Sequence, residues 1–313
     1  MKKHLLDLLI CPSCLPKEQP LKGSIARMEG DDIISGYLKC TTCGTRYPID
    51  EGVALLLIAP HFETPSSQAR YESAALASAY LWSHYADLFA DPEAGEAYSI
   101  WASHVTGENN LALDAGCAVG RLTFELSAKS DFVVGVDTST AFIRLARQLM
   151  REGSLTFSLI TEGHLSEPRT ITLPEEWKRE RVEFIVGDAL ALPFPLGSFS
   201  FTASLNLLDK VPKPLQHLLE MNRVAGKSGA RFLFSDPFSW SEESARAEDW
   251  LGGKKSGEYA GEGLTNVRLV LQGAEGVVQA PWNVEKEGTV RWKIRNHRNH
   301  YEMIRSEFIL FNR

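Results

Sequence analysis

Leu111–Asp137, with the sequence LALDAGCAVGRLTFELSAKSDFVVGVD, decides the fold of this chain. The stretch predicts an apolar strand, a turn of small residues over 114–120, a helix and a second strand that ends on Asp137. This order is half of a nucleotide-binding βαβ unit, in which small turn residues let the backbone approach a ligand. An acid that closes the second strand is placed to take both hydroxyls of a ribose. The stretch therefore predicts a nucleotide site.

The pattern of alternating strands and helices continues beyond this unit. Strands are predicted at 111–114, 132–137, 182–187, 199–205 and 230–235, helices at 120–129, 139–151 and 212–225, a further helix at 264–272, and two last strands at about 276–284 and 303–312. Such alternation predicts an α/β fold with a parallel, doubly wound sheet. The insert at about 152–181 holds two apolar runs joined by a Gly/Pro stretch, which indicates a hairpin.

Composition limits the classes of function. A chain of 313 residues has room for one full α/β domain and something smaller. The net charge of -7 argues against a general nucleic-acid binder. No apolar run approaches the roughly 20 residues that span a bilayer, and the first apolar stretch is short and broken by Asp7. We therefore expect a cytoplasmic protein with no membrane partner, and the sequence predicts no particular oligomeric state.

Four of the five cysteines form two CxxC pairs: Cys11 with Cys14, and Cys40 with Cys43. Two such pairs can surround one tetrahedral Zn²⁺, because each presents two thiolates from a tight turn. Since all four ligands would be cysteines, no position is open for water, and the predicted zinc is structural. Reduced cysteines without a metal are the alternative. A redox pair is disfavoured because no thioredoxin-like βαβ pattern surrounds either motif.

The sequence around these cysteines resembles that of a known family. HLLDLLICPSC and LKCTTCGTRYPIDEGVALLL resemble the small zinc-ribbon family that includes the activator subunit of several tRNA, rRNA and protein methyltransferases. The resemblance covers nearly all of the first 58 residues. We therefore predict a zinc-ribbon domain over residues 1–60.

Residues 61–109 are predicted to form a linker and a helical lid. The linker is APHFETPSSQ, and helices are predicted from Ala69 to about Ala90 and from Ala97 to Val105. The first helix contains the polar-aromatic segment YLWSHY at 80–85. This segment either packs on the following domain or contacts cofactor or substrate. The remaining domain is predicted over 110–313.

The turn at 114–120 distinguishes between nucleotides. A dinucleotide fingerprint needs three glycines, and here the positions are Gly116, Ala118 and Arg121. A Walker phosphate loop is absent as well. The spacing D-x-G-x-A-x-G is a close variant of the D-x-G-x-G-x-G turn, and the chain resembles the class I S-adenosylmethionine-dependent methyltransferases. The resemblance implies a Rossmann-like methyltransferase sheet and S-adenosylmethionine as cofactor.

The same resemblance assigns roles along the strand ends. The implied cofactor-binding residues are Asp114, Gly116, Cys117, Ala118 and Gly120 in the turn, Asp137 and Thr138 at the ribose, Asp188 and Ala189 at the adenine, and Asn206 near the sulfonium. Asn206 and Asp209 would lie where sulfonium and acceptor meet. The alternatives are structural: Asp114 fixes its turn, Asp188 caps a turn and Asp209 caps the next helix. The backbone of Cys117, rather than its thiol, is expected to matter.

A narrower resemblance concerns the acceptor. DAGCAVGRLTFEL, TEGHL, VEFIVGDALAL, NLLDKV, SDPFSW and EDWLGG look like the methyltransferase domain of the ovothiol biosynthesis enzyme, from about Ala69 to Gly253. This resemblance implies methylation of a small mercaptohistidine-like amino acid. YLWSHY is similar to that domain's YLLFHYG, so His84 and Tyr85 join Asn206 and Asp209 as candidates for orienting the acceptor.

Two other functions compete with this prediction. A similar ribbon precedes an rRNA guanine methyltransferase, so a methyltransferase for rRNA or tRNA bases is the main alternative. A non-catalytic cofactor sensor with an interaction module is the second. The basic segment VRWKIRNHRNH at 290–300 is compatible with a nucleic-acid patch, a solvated strand edge or a rim that receives a carboxylate. The acidic balance favours a small-molecule acceptor over nucleic acid.

Overall fold

The computed structural model describes residues 1–58, 70–107 and 109–313, so the predicted linker lies outside the described residues. The strands are β1 (Leu21–Glu29), β2 (Asp32–Cys40), β3 (Arg46–Asp50), β4 (Val53–Leu56), β5 (Asn109–Ala115), β6 (Ser130–Asp137), β7 (Ser154–Glu162), β8 (Leu165–Thr172), β9 (Val182–Gly187), β10 (Phe201–Leu205), β11 (Arg231–Asp236), β12 (Asn283–His297) and β13 (His300–Asn312). The α-helices are α1 (Ala74–Tyr85), α2 (Ala97–Ser103), α3 (Arg121–Leu126), α4 (Thr140–Glu152), α5 (Pro214–Val224) and α6 (Gly263–Leu271).

Eleven of these strands form one sheet in the order β1-β2-β3-β4-β9-β6-β5-β10-β11-β13-β12. The run from β4 through β9, β6, β5 and β10 to β11 is parallel. Strand β13 joins β11 in the antiparallel sense, and β12 pairs with β13 as a long hairpin. The predicted Rossmann-like α/β fold is confirmed. The sheet is mixed rather than purely parallel, because β1 to β4 pair in the antiparallel sense at one end and β13 and β12 do so at the other.

One predicted strand was misplaced. The segment predicted as a strand at about 276–284 follows a 3-10 turn at Ala274–Gly276 and is irregular until β12 begins at Asn283. Pro281 precedes that strand, and the Trp282 ring is buried with its Nε1 donating to Asn222. The basic segment at 290–300 therefore belongs to the β12–β13 hairpin. The other predicted hairpin is present as β7 and β8.

The cysteine-rich region and the α/β region share the sheet. Strand β4 lies parallel to β9, with Leu55 opposite Val186. Charged side chains also connect the two regions. The Arg147 guanidinium of α4 forms ion pairs with Glu183 of β9 and with Asp32 of β2, and the distance to Asp32 is 2.8 Å. Backbone hydrogen bonds and a buried charge network thus join the two regions.

Buried side chains fill both faces of the sheet. Trp82, Tyr85 and Trp101 of α1 and α2 are buried on one face, while Phe232 and Trp282 are buried on the other. Among the described residues, no helix is long and apolar enough to cross a membrane. Helices α1 and α2 lie over the sheet face that carries the site described next.

Candidate active site

A cavity of about 260 Å³ opens at the carboxyl ends of the central parallel strands. This edge of an open α/β sheet is where ligands bind in such folds. Its lining combines strand-end loops with helices α1 and α2. The lining residues are Leu57, Tyr71, Glu72, Tyr80, His84, Tyr98, Gly116, Ala118, Val136, Asp137, Thr138, Ser139, Phe142, Gly187, Asp188, Ala189, Leu190, Leu205, Asn206, Leu207, Lys210, Val211, Pro212 and Trp292.

The turn after β5 forms one wall of the cavity. Gly116 adopts φ +76°, and a Cβ at this position would lie 2.9 Å from the Leu207 side chain. The Gly116 N–H donates to the Val136 carbonyl at 2.8 Å, and the Ala118 N–H donates to Asp137 Oδ2 at 2.9 Å. The turn is thereby tied to the end of β6, and a small residue at 116 keeps the backbone accessible.

Three predicted turn residues do not line the cavity. Asp114 is buried and accepts a hydrogen bond from Thr123 Oγ1 at 2.7 Å, and burial raises the pKa of its carboxyl to about 7. Cys117 is buried in the core. Gly120 has φ +87°, and a Cβ there would lie 2.6 Å from the Phe184 ring, so this glycine permits close packing of helix on strand. All three hold the turn in shape.

Asp137 stands at the end of β6 and lines the cavity. Its Oδ1 accepts the Ser139 N–H at 2.9 Å, and Ser139 Oγ caps α4 through the Phe142 N–H at 3.1 Å. Burial raises the pKa of the Asp137 carboxyl to about 6. Each carboxylate oxygen accepts one backbone N–H and keeps a second lone pair, which is available to a ribose hydroxyl.

Asp188 and Ala189 follow β9 and also line the cavity, as does Thr138. Asp188 Oδ1 accepts the Leu190 N–H at 2.8 Å, which is a turn-capping bond. The buried His217 fixes the Ala189 carbonyl through Nδ1 at 3.2 Å. Asp188 therefore caps its turn while remaining part of the cavity wall.

Asn206 follows β10 at the opposite side of the cavity. Its backbone is in the left-handed region, with φ +55°, and its N–H donates to the Ser235 carbonyl at 2.7 Å. Its side-chain Oδ1 accepts a hydrogen bond from Ser306 Oγ at 2.6 Å. Asparagine tolerates this backbone conformation better than most residues, which explains its place at the strand end.

Helices α1 and α2 contribute an aromatic wall. His84 is 3% exposed, and burial, followed by the positive Arg121, holds its pKa well below the usual value. Its Nε2 lies 2.6 Å from the Tyr98 hydroxyl, and Tyr80 packs against it with ring centroids 5.8 Å apart. A neutral imidazole thus contacts a phenol that faces the cavity. Sequence reasoning missed Tyr98 and Trp292, because neither belongs to a strand-end motif.

The structure places two predicted acceptor residues outside this lining. The Tyr85 ring is fully buried, and its hydroxyl donates to the Val119 carbonyl at 2.7 Å. Asp209 is also buried: its carboxylate accepts the Ser239 N–H at 2.9 Å and pairs with Lys210 at 3.0 Å. Both residues brace the loops that carry the cavity.

The four cysteine sulfurs lie within 4.8 Å of one another. Cys11 Sγ is 3.6 Å from Cys43 Sγ, and Cys14 Sγ is 3.7 Å from Cys40 Sγ. A tetrahedral zinc ion with Zn–S bonds of about 2.3 Å keeps its sulfur ligands roughly 3.8 Å apart. The four residues fit structural zinc, and the Tyr47 hydroxyl lies 3.2 Å from Cys11 Sγ beside them.

Two family models match this chain. Residues 113–233 match the model described as a methyltransferase domain, and residues 2–52 match the model described as a Trm112p-like protein. The chain carries a class I S-adenosylmethionine-dependent methyltransferase domain. The cofactors are S-adenosylmethionine in that methyltransferase domain and structural zinc in the Trm112-like domain.

Known proteins resemble the methyltransferase domain at low identity. Ajmaline N-methyltransferase of Rauvolfia serpentina is 24% identical over 141 residues, which are 44% of this chain and 40% of the relative's length. The YcgJ protein of Bacillus subtilis is 12% identical with a TM-score of 0.46, covering 69% of this chain and 97% of its own. A chain from the complex between the Haloferax volcanii Trm112 methyltransferase activator and a methyltransferase is 13% identical to this protein, with a TM-score of 0.45. The match covers 76% of this chain and 96% of that chain.

Proposed function

We propose that this chain transfers a methyl group from S-adenosylmethionine to a heteroatom of a small molecule, specifically a mercaptohistidine-like amino acid. The observation that carries the proposal is the aromatic wall of the cavity that Asn206 also lines. Tyr80, His84 and Tyr98 cover the cavity from α1 and α2, and Trp292 lines it from β12. An acceptor surrounded by aromatic side chains fits a small amino acid better than a base within a folded RNA.

The cofactor-binding roles rest on the strand ends. Asp137 would accept both ribose hydroxyls, and Asp188 with the Ala189 backbone would recognise the adenine. The backbone of Gly116 and Ala118 would lie against the methionine part. When bound, S-adenosylmethionine supplies a methyl group on a sulfonium, which a nucleophile displaces in line.

The chain's own contribution is to position the acceptor and to exclude water. Burial, followed by the positive Arg121, lowers the pKa of His84, so this imidazole is suited to orienting the Tyr98 hydroxyl rather than to taking a proton. If the acceptor attacks through a neutral imidazole nitrogen of its own, it needs no strong base to take the methyl group. We therefore assign Asn206, His84 and Tyr98 to acceptor orientation, and Tyr85 and Asp209 to support of the loops.

The acceptor class is supported by the resemblance of residues from about 69 to 253 to the methyltransferase domain of the ovothiol biosynthesis enzyme. The curated relative is named an N-methyltransferase, which agrees with transfer to nitrogen. We also propose the functional division into a zinc-ribbon domain at 1–60, a linker and lid at 61–109, and a methyltransferase domain at 110–313. In this division α1 and α2 close the acceptor side.

A screen of imidazole- and thiol-containing amino acids, with release of S-adenosylhomocysteine as the readout, tests the proposal. We expect turnover with a mercaptohistidine and little with histidine. Asp137→Ala should abolish S-adenosylmethionine binding in calorimetry. Unchanged affinity in that variant would show that the ribose assignment is wrong.

The match of residues 2–52 to Trm112p-like proteins favours a second candidate, methylation of an RNA base. Filter binding of total RNA at two salt concentrations separates the candidates, because affinity that depends on phosphate contacts falls steeply with salt. Tight, salt-sensitive binding with RNA-dependent turnover would favour RNA. Weak binding at both concentrations is expected for the amino-acid acceptor.

A further inference from the structure

Three side chains form a hydrogen-bonded chain that ends at the cavity. Trp292 Nε1 donates to Ser306 Oγ at 3.2 Å, and Ser306 Oγ donates to Asn206 Oδ1 at 2.6 Å. Ser306 is fully buried on β13, and Trp292 lies on the adjacent β12. Neither Trp292 nor Ser306 belongs to the cofactor motif. Their contact with Asn206 therefore calls for a separate explanation.

The direction of these bonds follows from the chemistry of indole. The Nε1–H of Trp292 can only donate, so Ser306 Oγ must accept from it. The single proton of the Ser306 hydroxyl is then free to be donated to Asn206. If the amide were flipped, its NH₂ would also donate to Ser306, and the hydroxyl proton would be buried without a partner. The indole thus fixes the orientation of the amide.

The fixed amide directs its NH₂ group away from Ser306. The backbone of Asn206 is itself held by its hydrogen bond to the Ser235 carbonyl. Asn206 lines the cavity, and within the described part of the chain its Nδ2 forms no hydrogen bond. Asn206 therefore presents two hydrogen-bond donors where the acceptor would lie.

The cavity lining carries charged side chains of both signs. Lys210 also lines the cavity, and its ammonium lies 3.0 Å from Asp209. Asp137 ends β6, which is separated from the Asn206 strand by β5. With strand spacings of about 4.8 Å, that carboxylate stands roughly 10 Å away along the sheet. The acid at the ribose thus lies two strands away from the donors of Asn206.

We infer that Trp292 and Ser306 are positioning residues that make Asn206 a donor site for an anionic, lone-pair-bearing group of the methyl acceptor. A thiolate and a carboxylate share this chemistry. A methyl group in the same place leaves the amide protons unpaired, and a cation would face two hydrogen-bond donors. The inference rests on the proposed function, because it concerns the acceptor of that reaction.

Binding of three small imidazoles to protein saturated with S-adenosylhomocysteine tests the inference. The ligands are 4-methylimidazole, 4-mercaptoimidazole and imidazole-4-carboxylate, which differ in one substituent, and calorimetry gives each affinity. We expect one anionic ligand to bind at least about tenfold more tightly than the methyl compound, as a charge-assisted hydrogen bond provides. Which anion binds more tightly distinguishes a thiolate-bearing acceptor from a carboxylate-bearing one.

The variants test the positioning roles through the ratio of affinities. Asn206→Asp should remove the preference for the anion, and Ser306→Ala and Trp292→Phe should reduce it. General damage to the fold would lower all affinities together and leave the ratio unchanged. Asn222→Asp is the matched control, because Asn222 Oδ1 also accepts from an indole, that of Trp282, but Asn222 does not line the cavity.

Similar binding of all three ligands to the wild type would overturn the inference, and so would a ratio that Asn206→Asp leaves intact. Absence of binding by all three would overturn it as well. The methyltransferase function is measured separately, through S-adenosylmethionine binding and release of S-adenosylhomocysteine with any acceptor. A protein that passes those assays and fails the ratio test keeps its function and loses this inference.

Discussion

The backbone N–H of Ala118 donates to the carboxylate of Asp137 at 2.9 Å. The turn after the first central strand and the acid after the second are therefore one structural unit, although 19 residues separate them. Ala118 adopts a positive φ of 46° in this contact. Ala118 stands where a dinucleotide fingerprint requires glycine, and the turn accommodates this alanine.

Cofactor affinity should depend on the ionisation of Asp137. Burial raises the pKa of its carboxyl to about 6, and only the ionised form accepts both ribose hydroxyls. The Kd for S-adenosylmethionine should be constant above that pH and rise about tenfold per pH unit below it. Calorimetry between pH 5 and 8 measures this, with Asp137→Asn as a control whose weaker binding is independent of pH. A flat wild-type profile would contradict the assignment.

Removal of zinc should destabilise the methyltransferase domain as well as the ribbon, because β4 of the ribbon pairs with β9. Cys40→Ser should lose the metal and lower the midpoint of thermal unfolding of the whole chain. Cys117→Ser is the control, since that cysteine lies outside the four-sulfur cluster. Metal analysis and thermal unfolding followed by circular dichroism are the measurements. An independent transition for the ribbon, with unchanged cofactor binding, would contradict the shared-sheet account.

Glu183 should contribute strongly to stability. Burial alone would raise its pKa, but the positive charges of the Arg147 guanidinium, the N-terminal ammonium and Lys2 together hold the pKa below its usual value. Glu183→Ala leaves that guanidinium buried with only Asp32 as a described acidic partner, at an expected cost of about 3–5 kcal/mol. Glu248→Ala breaks an exposed pair with Arg246 and should cost about 0–1 kcal/mol.

Urea unfolding at neutral and acid pH checks this prediction. Since the pKa of Glu183 is lowered by folding, its contribution is present above the unfolded pKa and is lost as the pH falls through the folded one. The difference between wild type and Glu183→Ala should therefore shrink in acid. Equal effects of the Glu183 and Glu248 variants at neutral pH would refute the role of the buried pair.

Tyr98 and Tyr85 should behave differently although both belong to the same aromatic layer. Tyr98→Phe removes a hydroxyl that contacts His84 at the cavity and should raise the KM for the acceptor. Tyr85→Phe removes a buried bond to Val119 and should lower the free energy of unfolding by about 1 kcal/mol, without changing that KM. Steady-state kinetics with whichever amino acid the screen identifies provides the comparison. A larger KM effect at Tyr85 would reverse the assignment.

Strand-end motifs predicted several residues that line the cavity. The positions of Gly116, Asp137 and Asp188 follow from strand–turn–helix patterns, because parallel strands bring their carboxyl ends to one edge. The four-cysteine zinc site could be predicted from the cysteine spacing alone, because two CxxC pairs supply the four ligands of one tetrahedral ion.

The acceptor side could not be predicted in the same way. Tyr98 and Trp292 reach the cavity only because α2 and β12 pack over it, and that packing joins elements far apart in the chain. Tyr85 illustrates the converse. It follows His84 directly, but helical geometry turns neighbouring side chains about 100° apart, so one lines the cavity and the other is buried.

Release of S-adenosylhomocysteine with a mercaptohistidine as acceptor, followed by mass spectrometry of the product, tests the central claim most directly. The account predicts a product with one added methyl group on the imidazole ring, formed by the wild type and not by Asp137→Ala. Turnover with RNA and none with the mercaptohistidine would contradict it.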